Sequence, residues 1–380
     1  MSNDKGGRAV MDAEKFRENI KKTGFFLEYR IGEILRQQGW SVISNRYYVD
    51  DQSETVREID LLAYRTNVVQ DFTVCTALLV GCKKSEKNIW AMLARDINRS
   101  DPNMDLRPVH LWTDKPAIDY MITQGGWRKA YFEHVAAQGV TVALAVPDVE
   151  VYAFQEMNKV SGAVQNDKPI FSSVTSLMKA QAYELSCLPR PKKKERVYQF
   201  NLLSVVDTDL IRLHLKSDDE VEAAEVESEN YIVNYIINKE RTFARIHFMR
   251  ASAFPTVLQD YLALHDANCG FFALLCDQFY ADAVQDRGKT AVFEDEFWKR
   301  LRWPLRSAIL RQTSESMDFE PVFLRWRKRD KLLEVELNLH EETIASLNQD
   351  ADLIKAAAKV LRELYRYEGR FQFAVYDIPF

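Results

Sequence analysis

The sequence predicts an α/β fold with a mixed sheet for its first half, followed by an α+β second half. Three observations carry this. Residues 24–38 place Phe26, Arg30, Ile31, Ile34 and Leu35 at three- and four-residue spacing, and Gly39 closes the helix. Residues 56–65 (VREIDLLAYR) and 74–84 (VCTALLVGCKK) are leucine-rich and β-branched runs of strand length. Beyond residue 196, short alternating runs mix with amphipathic helical stretches, and no internal repeat joins them.

In chain order, residues 1–13 read as a disordered tail and 14–38 as helix. Alternation over 40–49 predicts a strand, DDQSE a turn, 56–65 the second strand, TNVVQDFT a loop and 74–84 the third strand. Residues 87–99 are expected to be helical, 107–112 a buried strand, 115–138 a helix and GVTVALAV (139–146) a further strand. The segment 147–170 loses periodicity and reads as a domain exit. These elements define a first domain over 14–165, a helix and basic linker (LPRPKKKER) over 166–195, and an α+β domain over 196–380. In the last domain, strands reach to about residue 249 and helices fill 255–311. A hairpin (PVFLRWRK, LLEVELNL), the helix DADLIKAAAKVLRELYRY and a closing strand RFQFAVYDI follow.

Length and composition set the class. A chain of 380 residues is expected to form two or three domains, and 47% apolar with 28% charged residues is ordinary for a soluble globular protein. The absence of a long apolar run argues against a membrane partner, and the first residues do not read as a secretory signal. The five cysteines lack a CxxC pair, which suits a reduced, cytoplasmic protein and offers no zinc site. A net charge of −5 disfavours wholesale coating of nucleic acid, but residues 15–100 carry 14 Lys and Arg against 11 Asp and Glu. That local excess is compatible with DNA binding at one face.

A helix with a glutamate, a strand with an aspartate and a strand ending in lysine is one arrangement that cleaves phosphodiesters. On these residues (Gly24 to Glu28, Asp60 in VREIDLL, Lys83 in GCKKS) the stretch 15–145 resembles the PD-(D/E)XK, restriction-endonuclease-like superfamily, most closely its Mrr-like branch. The resemblance implies an αβββαβ core and Mg²⁺- or Mn²⁺-dependent DNA cleavage, of a kind used in bacterial defence or DNA processing. It implies Glu28, Asp60 and Lys83 as catalytic residues, and metal ligation by Asp60, the residue at position 81 and the Cys82 backbone carbonyl. Lys83, Lys84, Lys87 and Arg57 would contact DNA. The second half would select the target, or form a homodimer or bind a partner protein.

One position departs from the pattern. The family places glutamate where this chain has Gly81, and glycine offers no carboxylate. Three explanations stand side by side: a fold that kept binding and lost cleavage, a carboxylate migrated to Glu28, Glu86 or Asp96, or a substitution of an original glutamate. The first makes the chain a nucleic-acid-binding or scaffold protein, the alternative to an impaired endonuclease. Other motifs carry less. LLVGCKKS lacks the second glycine of a phosphate loop, and the six histidines show no ligand spacing. Asp207 and Asp209 suit a strand end, and LRWRKRDK (324–331) the outer face of an amphipathic strand.

Overall fold

The computed structural model describes residues 13–50, 54–188, 194–217, 220–313 and 323–376. The chain divides into two compact units, one from residues 1–114 and 132–269, the other from 115–131 and 270–380. It opens with α1 (Ala13–Ile20), α2 (Gly24–Gln37), β1 (Ser41–Val49), β2 (Val56–Val69), β3 (Phe72–Lys84), β4 (Asn88–Asp96) and β5 (His110–Thr113). After α3 (Pro116–Thr123) and α4 (Trp127–Ala137) come β6 (Val149–Asn158), α5 (Lys168–Ser186), β7 (Arg196–Asp207), β8 (Leu210–Ser217), β9 (Glu220–Val226), β10 (Ser228–Ile237) and β11 (Glu240–Arg250).

The first unit is mixed α/β and holds two sheets. In the larger, β1, β2 and β3 form an antiparallel meander, and β7 lies parallel to β3, with Gly81 opposite Ser204. The other side of β7 is shared between β5, antiparallel to its first half, and β11, parallel to its second. Strand β10 closes the edge against β11. The smaller sheet runs β6-β4-β8-β9. The inner face of α5 places Ile170, Val174, Leu177 and Met178 against Leu79 and Leu202 of the larger sheet, in one buried cluster. In the smaller sheet β9 is an exposed edge, and Glu220, Glu222 and Glu225 give it the charge that discourages strand addition.

Several sequence expectations are corrected here. Residues 87–99 contain a strand, β4, and not a helix: seven of the nine β4 residues are buried or half-buried, and pairing with β6 on one side and β8 on the other takes up its backbone. Periodicity cannot separate a buried strand from a buried helix in so short an apolar run. GVTVALAV is not a strand. The amides of Thr141, Val142 and Ala143 donate to the Asp260 carboxylate at 2.9, 3.0 and 2.6 Å, so a side chain satisfies the backbone where a neighbouring strand was expected. Asp260→Ala is accordingly expected to cost roughly 2–3 kcal/mol in urea unfolding, by orphaning three amides; a loss below about 0.5 kcal/mol would show the loop to be held otherwise.

The expected helix 115–138 breaks into α3 and α4 at Gly125 and Gly126, the latter at φ 86. The expected helix 14–38 breaks likewise between α1 and α2. The expected loop after residue 65 is instead the end of a long hairpin, with Val69 paired to Phe72. The supposed domain exit contains β6. The domain boundary moves too: β7–β11 belong to the first unit, because β7 pairs along its length with β3. Of the expected tail, turn and linker, residues 1–12, 51–53 and 189–193 lie outside the described residues.

The second unit is α+β. It takes α3, the start of α4 and the end of α6 (Phe254–Tyr280), with α7 (Arg287–Ala291), α8 (Glu294–Thr313), β12 (Phe323–Arg327), β13 (Leu332–Leu337), α9 (Glu341–Leu347), α10 (Ala351–Tyr365) and β14 (Phe371–Val375). β12 and β13 form the expected hairpin, and β14 joins β13 in parallel. Its core gathers Phe297, Leu301, Leu333, Val335, Leu361 and Phe373. The basic run of β12 is largely paired: Arg325 meets Glu336 at 3.3 Å and Arg327 meets Glu334 at 3.0 Å. Among the described residues, no helix is long and apolar enough to cross a membrane.

Candidate functional site

The candidate site lies where α2, β2 and β3 meet. α2 buries Leu27, Ile31 and Leu35, which leaves the neighbouring Glu28 half-buried. On β2, Asp60 sits one residue beyond the last couple of the β2–β3 ladder, Leu61 with Val80. Where the ladder ends, the Cys82 amide donates to Asp60 Oδ2 at 2.6 Å. The Lys83 ammonium lies 3.9 Å from the same oxygen. In an extended strand the N–H and C=O of one residue point to the same side, so the Cys82 carbonyl is also directed towards β2.

The electrostatics join these groups. Burial lifts the Asp60 carboxyl above the usual aspartate range, against the opposing pull of Lys83 and of the Cys82 amide. Glu28 is pushed up to about 7, first by burial and then by the negative charge of Asp60, with Lys83 acting the other way. The Cys82 thiol is raised well above its ordinary value by burial and by both carboxylates, so it does not supply a thiolate. A fourth group was missed by sequence reasoning. Glu58, which accepts a hydrogen bond from Asn45, raises both Asp60 and Glu28 by its charge. Its signal was present: it stands two residues before Asp60, the spacing that returns to one face of a strand.

Because folding raises the Glu28 pKa, its ionisation works against the fold as pH climbs from the unfolded value of 4.5 through about 7. Glu28→Gln is expected to stabilise the protein by roughly 1–2 kcal/mol at pH 8, after allowance for solvent screening, and by nothing at pH 4. Urea unfolding at the two pH values checks this. An equal effect at both would remove charge as the cause.

Position 81 behaves unlike the others. A Cβ built there would stand 3.6 Å from Ser173 Oγ and 3.8 Å from the Leu177 side chain, both on α5. Those are ordinary contacts, and Gly81 is not among the residues of positive φ, so neither packing nor backbone geometry demands glycine. A longer side chain would start against the α5 surface, where Ser173 Oγ and Ser204 Oγ share a buried hydrogen bond of 2.8 Å.

The remaining candidates disperse. Lys84 pairs with Asp207 at 3.0 Å and Arg57 with Asp50 at 3.1 Å, while Lys87 and Glu86 are exposed in the bend after β3. Asp96, at the end of β4 in the smaller sheet, meets His214 at 3.0 Å. Asp209 is bound by Lys159 and Arg250, which gives the VVDTD carboxylates ion-pairing roles. Among the described residues, no three His, Cys, Asp or Glu side chains gather closely enough to hold a metal ion. Comparison of the chain with protein families, with curated proteins and with solved structures returns no match.

Proposed function

We propose that the first unit is a DNA-binding module of the PD-(D/E)XK type, in which magnesium-assisted phosphodiester cleavage is impaired by Gly81. One observation carries this reading: a half-buried aspartate on β2 receives the Cys82 amide and faces the Lys83 ammonium, with Glu28 close enough to feel both charges. The order α2-β1-β2-β3-α5-β7, with β7 parallel to β3, supports a restriction-endonuclease-like core. On this reading α5 and β7 complete the core, and residues 85–167 are an insertion.

The donor set fits a cation in part. The charge of Asp60 helps raise the Glu28 pKa, a repulsion that a cation bound between the two would relieve. Those two carboxylates would hold it, with the Cys82 carbonyl directed to the same side; a third carboxylate is missing at 81. Magnesium, or manganese, bound there supplies charge neutralisation at the phosphate and a water of lowered pKa. Lys83 places positive charge where negative charge grows during attack, and the Cys82 amide holds Asp60 in orientation. The missing ligand favours a second reading, a binding or scaffold protein on the same fold.

Titration of duplex DNA against salt tests the shared part of both readings. With three phosphate contacts, affinity should fall roughly 40-fold between 50 and 200 mM salt. Lys83→Ala should flatten that dependence by about one contact. Affinity that ignores salt, or no binding at low salt, would end the DNA-binding readings and favour a scaffold. A role in defence or DNA processing, with the second unit choosing target or partner, belongs to the same proposal.

A further inference from the structure

The first unit contains a second polar concavity that the nuclease reading does not use. It is a pocket of about 260 Å³ between α5 and the strands β1, β2 and β10, lined by Tyr48, Asp50, Arg57, Lys168, Ser172 and Lys179, among others. Lys168, Ser172, Thr175, Ser176 and Lys179 fall at the i, i+4, i+7, i+8 and i+11 positions of α5, so one helix face presents two ammonium groups and three hydroxyls. Such a stripe is ordinarily a solvated surface, and four features set this one apart.

The stripe is the wall of a concavity, and its floor is built. Asp50, 3% exposed, is gripped by Lys179 at 2.9 Å through both oxygens and by Arg57 at 3.1 Å. The lining holds three cations against one carboxylate, so it remains electropositive after that pairing. The buried Tyr48 hydroxyl, beside Ser176, has no well-formed hydrogen bond among the described residues. Finally, Phe171, 48% exposed, meets the Tyr235 ring edge-on at 6.2 Å and leaves an aromatic surface open at the rim.

We propose that this pocket binds the phosphomonoester of a nucleotide. Lys168, Arg57 and the Ser172 and Ser176 hydroxyls would take the phosphate, and Phe171 with Tyr235 would offer the face on which a base stacks. A free mononucleotide and the 5′-phosphorylated end of a strand present the same chemistry. The inference stands apart from the proposed cleavage site, since none of Glu28, Asp60 or Lys83 lines the pocket, although Arg57, expected from the resemblance to contact DNA, does.

The test is calorimetric titration of the full chain with adenosine 5′-monophosphate, adenosine and inorganic phosphate. The nucleotide should bind at least about ten-fold more tightly than either fragment, because phosphate and base are both engaged. Lys168→Ala with Ser172→Ala should weaken it about ten-fold or more while leaving the melting temperature in place, since both side chains are exposed. Phe171→Ala should remove the advantage over inorganic phosphate. An Asp60→Ala chain should bind the nucleotide as before, which separates this site from the other. A 5′-phosphorylated oligonucleotide that outbinds both its 5′-hydroxyl form and the mononucleotide assigns the pocket to a strand end; parity with the mononucleotide assigns it to the free ligand. Equal binding of adenosine and its monophosphate, indifference to the Lys168/Ser172 change, or no nucleotide binding overturns the proposal.

Discussion

Gly81→Glu is expected to raise magnesium-dependent DNA cleavage by roughly 10²–10⁴-fold, the equivalent of about 3–5 kcal/mol of transition-state stabilisation. The proposed site has a glutamate that feels the charge of Asp60 and a lysine 3.9 Å from that half-buried aspartate, and lacks the carboxylate that the proposed family would carry at 81. The new side chain has room at Cβ, and it stands on β3 one residue beyond the last β2–β3 couple, Leu61 with Val80, as Asp60 does on β2. Its remaining atoms must turn away from Ser173 and Leu177 to join Asp60. Gains made this way should vanish on Asp60→Ala or Lys83→Ala, because groups that act as one unit do not contribute additively. A migrated carboxylate gives a different pattern, with cleavage already present beside Gly81 and lost in Glu28→Ala. Glu86 and Asp96 are weaker choices, the first exposed after β3 and the second bound to His214 in the other sheet. If neither the chain with Gly81 nor the Gly81→Glu chain cuts DNA with magnesium or manganese, the enzyme reading fails and the binding reading stands alone.

Acid should destabilise the first unit steeply and through two histidines. His247 on β11 is buried with Nδ1 3.0 Å from the Tyr261 hydroxyl, and burial, aided by the charge of Arg245, holds it down to about 3. His265 on α6, with Nδ1 3.0 Å from Thr76 Oγ1, is held down to about 4 by burial and by Arg65. Both stay neutral in the fold while the unfolded chain protonates near 6.5. Their stabilising share is therefore complete above about pH 6.5, and it drains away as pH falls to about 4 for His265 and about 3 for His247. At about 1.4 kcal/mol per pH unit per histidine, the loss reaches several kcal/mol, a large part of a domain's stability. In urea unfolding from pH 7 to 4, followed by amide exchange in β7 and β11, the histidines should contribute about two protons to the slope, of which Glu28, titrating in the opposite sense, takes back about one. His247→Asn and His265→Asn should each lower it by about one. Substitutions that leave the slope unchanged would mean that water reaches these rings.

The sequence by itself determined the local elements that carry the candidate site. The periodicity of Phe26, Ile31 and Leu35 is a property of α2 alone, and the apolar runs around Asp60 and before Lys83 mark β2 and β3 without help from the rest of the chain. Glu28, Asp60 and Lys83 became candidates through the family resemblance that those elements carry, and the β12–β13 hairpin was legible from local alternation. Only the tertiary structure decided what depends on distant partners. Residues 88–96 are a strand because β6 and β8 pair with them, and 139–146 is not one because Asp260 takes its amides. β7 joins the sheet of β3 across more than a hundred residues, which no periodicity near residue 196 reveals. Strand alternation puts position 81 on the same face of β3 as Lys83, and only the fold shows that α5 covers that position and that Glu58 adds its charge to the site. The phosphate-binding stripe of α5 likewise reads as an ordinary polar face until β1, β2 and β10 close around it. Hydrogen bonding and burial between remote segments are settled by the assembled chain, and a local pattern records only the half of each contact that it contributes.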